Sequence, residues 1–160
     1  MIPRGFNLEN ETSGLTWADL NLGVPTIVAI AHLSSLALSR PDPPACDLAG
    51  LSAEARTILV ASKDSGSISI RGNKNAFEPA ERFLAVCVDM NEGRRVEFRC
   101  VGNPEQTVRF MEGLRQLCNA GLVMHQLMND FSLTAHGFEM ARSLDVNDYQ
   151  ALIDLGTESI

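Results

Sequence analysis

The chain has no CxxC pair, no HExxH or HxH, no GxSxG, and neither GxGxxG nor GxxxxGK[ST]. Those absences remove the usual zinc and thiol-redox spacings, the nucleophile elbow and the dinucleotide and nucleotide phosphate loops. Its four cysteines, Cys46, Cys87, Cys100 and Cys118, are far apart and read as reduced, buried thiols of an intracellular, cytoplasmic protein. Positive charge is also short. Thirteen Lys and Arg face twenty Asp and Glu, a net charge of −7. Residues 104–160 hold only three basic side chains against eight acidic ones, so the third of the chain with the clearest helix pattern repels phosphate. No apolar run is long enough for a membrane span. The longest, Val24 to Leu38, is broken by Pro25, His32, Ser34 and Ser35, and no basic stretch precedes it as a signal peptide would require.

What remains is the composition of a folded domain: 160 residues, 45% hydrophobic and 21% charged. Residues 1–23 read as a polar, irregular arm with a turn of helix near Trp17–Leu20. Pro25 suits the first turn of a helix running to about Ser39, which Arg40-Pro-Asp-Pro-Pro44 ends. The chain thus divides into an arm, apolar helix and proline-rich linker over 1–47 and an α+β domain over 48–160. In that domain Ser52 caps a helix over 53–63, Ser67–Arg71 alternates as a strand, and Arg71-Gly-Asn-Lys-Asn75 is a polar loop. Pro79–Arg82 forms a short helical turn before an extra β-hairpin over 84–101. A three-residue Asn91-Glu92-Gly93 loop gathers Leu84, Val86, Val88, Met90, Val96, Phe98 and Cys100 on one face. It sets Asp89 against Arg95 on the other face, puts Gly93 in the left-handed region, and keeps Cys87 and Cys100 on opposite sides, unable to bridge.

Asn103, Pro104 and Gln106 open a helix over 104–120, with Gln106 as capping-box partner. Val108, Met111, Leu114, Leu117 and Cys118 form its apolar stripe, and Gly121 ends it. Leu122–Met128 and Phe131–Thr134 form a hairpin around Asn129-Asp130. Thr134 caps a further helix, and a last one runs from about Val146 to Leu155, stopped by Gly156.

Leu114-x-x-Leu117-x3-Gly121-Leu122-Val123 followed by Phe131-Ser-Leu-Thr134-x-x-Gly137 resembles the end of a winged-helix domain. The resemblance covers about residues 104–144. It implies that the helix before Gly121 is the recognition helix, the hairpin the wing, and Leu133-Thr134 the lead into a packing helix. The expected fold is therefore α+β, winged-helix-like, with an extra β-hairpin and an N-terminal helical arm. The chain departs from the DNA-binding pattern, however. The recognition helix offers only Arg109 and Arg115 beside Glu105 and Glu112. The wing, Met124 to Asp130, has no Lys or Arg, and a strand hairpin replaces the first helix of the helix-turn-helix pair.

Arg71, Lys74, Arg109 and Arg115 are the candidate anion or nucleic-acid contacts, though the Arg71–Asn75 loop reads first as a solvated connection. The carboxylates Glu78, Glu81, Asp89 and Glu97 sit among arginines and read as surface ion pairs. His32 is expected inside or at an interface, His125 on the outer face of the wing and His136 in a first helical turn. No catalytic, metal or cofactor site is expected. Met124 and Met128, taken with Leu122, Phe131 and Leu133 as one apolar stripe, are candidates for an adhesive wing. Ile27, Ile30, Leu33 and Leu36 belong to a helix apolar nearly all round, which a second chain would cover if its own domain covers only one side. The expected function is a non-enzymatic protein-interaction or self-association module, a homodimer. A DNA-binding regulator and an enzyme with an unrecognised site are the alternatives.

Overall fold

A computed structural model describes residues 16–41 and 46–159. The irregular arm before Thr16 and the proline pair of the linker lie outside the described residues. The elements are α1 (Trp17–Asn21), α2 (Val24–Leu38), α3 (Ala53–Ser62), β1 (Ser67–Arg71), β2 (Ala85–Asp89), β3 (Arg95–Glu97), α4 (Pro104–Asn119), β4 (Val123–His125), β5 (Asp130–Leu133), α5 (Ala135–Arg142), α6 (Gln150–Ile153) and β6 (Thr157–Ser159). The fold is α+β. All six strands pair antiparallel in the order β4-β5-β1-β2-β3-β6. Strand alternation divides the sheet. Ile68, Ile70, Val86, Val88, Val96, Phe131 and Leu133 join the helices in one core, while Ser67, Ser69, Arg71, Asp89, Arg95 and Glu97 alternate onto the other face.

The expected hairpin register holds. Val88 pairs with Val96 and Asp89 with Arg95, and the backbone bonds Met90 N–H to Arg94 O (2.7 Å) and Phe98 N–H to Val86 O (2.8 Å) extend it. Gly93 is left-handed at φ +73°, and Glu92 shares that region at +58°. Cys100 joins the core while Cys87 is buried on the opposite sheet face, and both are free thiols.

The residues behind the winged-helix resemblance meet at one joint. At the end of α4, Gly121 (φ +74°) lets the Leu122 N–H reach Leu117 O (3.0 Å) and its own N–H reach Cys118 O (3.1 Å). The Thr134 hydroxyl donates to Gly121 O (2.8 Å) and accepts from the Gly137 N–H (3.0 Å), while the Thr134 N–H donates to Leu122 O (2.9 Å). The motif locks the start of α5 onto the α4–β4 corner.

Several expectations need correction. Val108 is exposed. The buried stripe of α4 runs through Thr107, Phe110, Gly113, Leu114, Leu117 and Cys118, because Gly113 presses against the Ala55 backbone and rotates the helix toward α3. Gln106 closes no capping box; its amide donates across to Glu54 Oε1 (3.0 Å). The β4–β5 hairpin turns earlier, at Leu127–Asp130, because Asn129 is claimed by β1: its side-chain amide donates to Ile70 O (2.8 Å) and its backbone carbonyl accepts the Ile70 N–H (3.0 Å). The C-terminal segment is a 3-10 turn (Val146–Tyr149) running into the short α6, then the unforeseen strand β6. Gly156 permits that strand: a Cβ there would lie 2.5 Å from Val96 Cγ1, so only glycine lets the chain fold back onto β3.

Asp89 supplies a pH test of the sheet's polar face. Its carboxylate accepts from Arg95 Nε (2.6 Å) and Ser67 Oγ (3.0 Å), and the Arg95 bond holds its pKa below the ordinary 3.8. A lowered carboxyl pKa stabilises the fold above the unfolded value, and that contribution fades as pH falls through the folded value. Both side chains are more than a third exposed, so Asp89→Asn should cost about 1 kcal/mol or less at neutral pH. The difference from wild type should close in strong acid, well below pH 3.8, where the native carboxyl also protonates. Urea midpoints at the two pH values measure this; an equal gap at both would remove the ion pair as its cause.

Candidate functional site

The site begins with the path of α1 and α2. Thr16 and Asp19 cap α1 reciprocally, with Asp19 N–H to Thr16 Oγ1 (3.2 Å) and Thr16 N–H to Asp19 Oδ2 (2.8 Å). Leu84 closes over Gly23, where a Cβ would lie 2.7 Å from its Cδ2, seating the start of α2 against the end of the β1–β2 connection. Further along, the buried Ser34 hydroxyl donates to Ala31 O (2.9 Å) and accepts the His125 N–H (3.3 Å), tying α2 to β4. Only Ile30, Ser34 and Ala37 of α2 are buried, on the side facing α4 and β4. Val28 and Leu36 stay exposed. The helix is apolar nearly all round but covered on one side.

Between these anchors α2 stands off β1 and leaves a cleft of about 850 Å³. Leu22, Val24, Ile27, Val28 and Ala31 form one wall, Ile70, Arg71 and Gly72 the floor, and His125, Met128 and Asn129 the far wall. The tip of the β4–β5 hairpin is held by two contacts. The His125 ring packs edge-on against Phe131 (5.1 Å, 66°), and its Nε2 lies 2.8 Å from Met128 O. Met128 itself adopts φ +53°, a conformation that costs a side-chain-bearing residue about 1–2 kcal/mol, and leaves its side chain 84% exposed at the rim.

A second cavity of about 820 Å³ shares Leu22 and Gly72 with the first and is lined otherwise by Asn21, Asn73, Lys74, Asn75, Arg82 and Leu84. Arg99 braces this region from beneath. It is 8% exposed, bonds Glu97 Oε1 (2.6 Å), and donates to the carbonyls of Arg71 (3.2 Å) and Phe83, pinning both ends of the intervening loop.

The candidate residues therefore part company. Ile27 and Met128 line the cleft. Ile30 is core, at 5% exposure, and Leu33 packs partly against it, so neither is free to meet a partner. Leu36 remains available. Met124 pairs opposite Ser132, whereas Leu122, Phe131 and Leu133 are core residues. The proposed apolar stripe does not exist as one surface, because strand alternation splits it. His125 faces α2 rather than outward, and His32 is exposed; His136 does sit in the first turn of α5, 3.6 Å from Glu139. Arg71 and Lys74 flank the cleft and its annex, and Arg71 Nε bonds Ser69 Oγ (3.3 Å). Arg109 lies elsewhere, paired with Glu105 (2.6 Å) in a depression that also holds Glu54 and Glu112, and Arg115 is exposed on the same helix. Sequence reasoning missed Ser34, Asn129, Arg82 and Arg99. A polar residue in an apolar run was the one available signal, at Ser34.

Among the described residues, no group of three His, Cys, Asp or Glu is placed to hold a metal ion, and no helix is long and apolar enough to cross a membrane. Burial pushes the Cys118 thiol up to about 12, so it stays protonated and unreactive. Searches with family models, curated proteins and solved structures find no match to this chain.

Proposed function

We propose that the chain is a non-enzymatic, winged-helix-like module that acts through protein contacts and pairs with a second copy of itself across the outward face of α2. The order α3–β1–α4–β4–β5–α5, with β5 lying between β4 and β1, supports the winged-helix reading, and the β2–β3 hairpin takes the place of the first helix of a helix-turn-helix pair. The observation that carries the functional reading is the contrast between two helices. The outward face of α4 sets Arg109 and Arg115 against Glu105 and Glu112 and ties Arg109 to Glu105. The segment Val24–Leu38 has no Asp, Glu, Lys or Arg, and it leaves Val28 and Leu36 exposed. Apolar side chains left exposed on a helix without charge mark a contact site, and two-fold pairing is the commonest closed arrangement. Four thiols without a disulfide suit a reducing compartment, the cytoplasm.

Light scattering on the full chain and on Leu36→Asp tests this reading. Leu36 is half-exposed, so the substitution leaves the core intact. The wild type should have twice the chain mass and the variant should be monomeric with an unchanged melting curve. A monomeric wild type would overturn the proposal. In the same buffer, anisotropy with mixed duplex DNA should give a dissociation constant on the order of 10⁻⁴ M at physiological salt, and a nanomolar operator would replace this reading with the regulator.

A further inference from the structure

The α2–β1 cleft and its annex lie side by side, sharing Leu22 and Gly72, and their two chemistries go beyond self-association. We infer that together they bind a long-chain fatty-acid anion, with the acyl chain along α2 and the carboxylate over Lys74 and Arg82.

Three observations converge. The cleft wall is aliphatic, from Leu22, Val24, Ile27, Val28 and Ala31, with the Met128 thioether at its rim, and its volume of about 850 Å³ lies in the range of small-molecule sites. The annex is polar and cationic, with Lys74 and Arg82 among the amides of Asn21, Asn73 and Asn75. Leu22 and Gly72 line both, so tail and head regions adjoin.

Charge selects the sign of the head group. Among the described residues, no Asp or Glu lines either cavity. Among the described residues, Lys74 and Arg82 make no ion pair, while Arg94, Arg95, Arg99 and Arg109 each hold a carboxylate. An anion arriving at the annex therefore meets cations that hold no ion pair among the described residues, in a molecule that is acidic overall. An alcohol would leave that charge unused, and a cationic amphiphile would be repelled. Arg71, on the cleft floor beside the shared Gly72, adds a third cation on the annex side, so one molecule with an aliphatic tail and a carboxylate matches both halves.

Calorimetric titration of the full chain with laurate, kept below its micelle concentration, tests the assignment. Laurate should bind one per chain in the micromolar range. Octanoate should bind far more weakly, by up to about fourfold for each methylene removed from the tail. Lys74→Glu/Arg82→Glu should weaken laurate by about tenfold or more, the worth of one charge-assisted hydrogen bond. Both residues are exposed, so the double variant should fold, and the milder Lys74→Gln/Arg82→Gln should fall between it and wild type. Leu36→Asp, whose side chain does not line the cleft, should bind laurate as wild type does, which separates this result from the dimer measurement. No saturable heat, equal affinity for octanoate and laurate, or full affinity in the charge-reversed variant would each overturn the assignment.

Discussion

Phe110→Ala is expected to lower the unfolding free energy by about 3–5 kcal/mol, the usual cost of removing a fully buried aromatic side chain. Phe110 comes from α4 and Phe98 from the chain just after β3. Their rings stack with centroids 4.2 Å apart and an interplanar angle of 17°, and both are shielded from solvent. The pair joins the helical layer to the sheet, so truncation removes the transfer energy of one ring and leaves a cavity against the other. Single domains are stable by about 5–15 kcal/mol, so the variant should approach the threshold of folding. Urea unfolding followed by circular dichroism measures the change. Phe77, 92% exposed, is the control, and Phe77→Ala should move the midpoint by less than about 0.5 kcal/mol. Similar losses at the two positions would mean that the stacked pair does not join the layers as described.

The second large effect belongs to Gly137. A Cβ built there lies 2.1 Å from Leu122 O, the oxygen that accepts the Thr134 N–H at 2.9 Å. The obstacle is backbone, which no rotamer change relieves. Gly137→Ala should gain about 1 kcal/mol of helix propensity, yet overpacking costs about 1–3 kcal/mol even where side chains can give. Here the joint between α4, β4 and α5 must open, so the net loss should exceed about 2 kcal/mol. Gly50→Ala, at a position with nothing within 4 Å of the added Cβ, should be close to neutral in the same melts. A neutral Gly137→Ala would remove the structural meaning given to the Thr134-x-x-Gly137 motif.

Local signals were legible where neighbours along the chain supplied the chemistry. The caps at Ser52, Asn103 and Thr134 each accept from the backbone N–H three residues on, as their sequence positions implied. The hairpin register followed because only the three-residue loop put every large apolar side chain on one face. Signals failed where the deciding partner was distant. Asn129 looked like a free turn residue, but Ile70 holds it and moves the turn toward β4. Met124 and Met128 looked like one stripe until strand alternation and a left-handed turn separated them. Thr157–Ser159 has no apolar alternation at all; it becomes a strand because β3 has an unpaired edge and Glu158 pairs with Arg94.

The sequence by itself determined the α+β class, the order of the main helices and strands, and the acidic balance that disfavours phosphate, because all three rest on periodicity, capping and composition. Only the tertiary structure decided which side of α2 is buried. A helix apolar on nearly every face carries no directional signal of its own. Its orientation came from Ser34, whose hydroxyl had to meet the His125 N–H of β4. That contact and the seat of Gly23 under Leu84 go with Ile30 in the core, Val28 and Leu36 outside, and the cleft between α2 and β1. Lys74 and Arg82, eight residues apart along the chain, line one cavity because Arg99 pins both ends of the connection between β1 and β2.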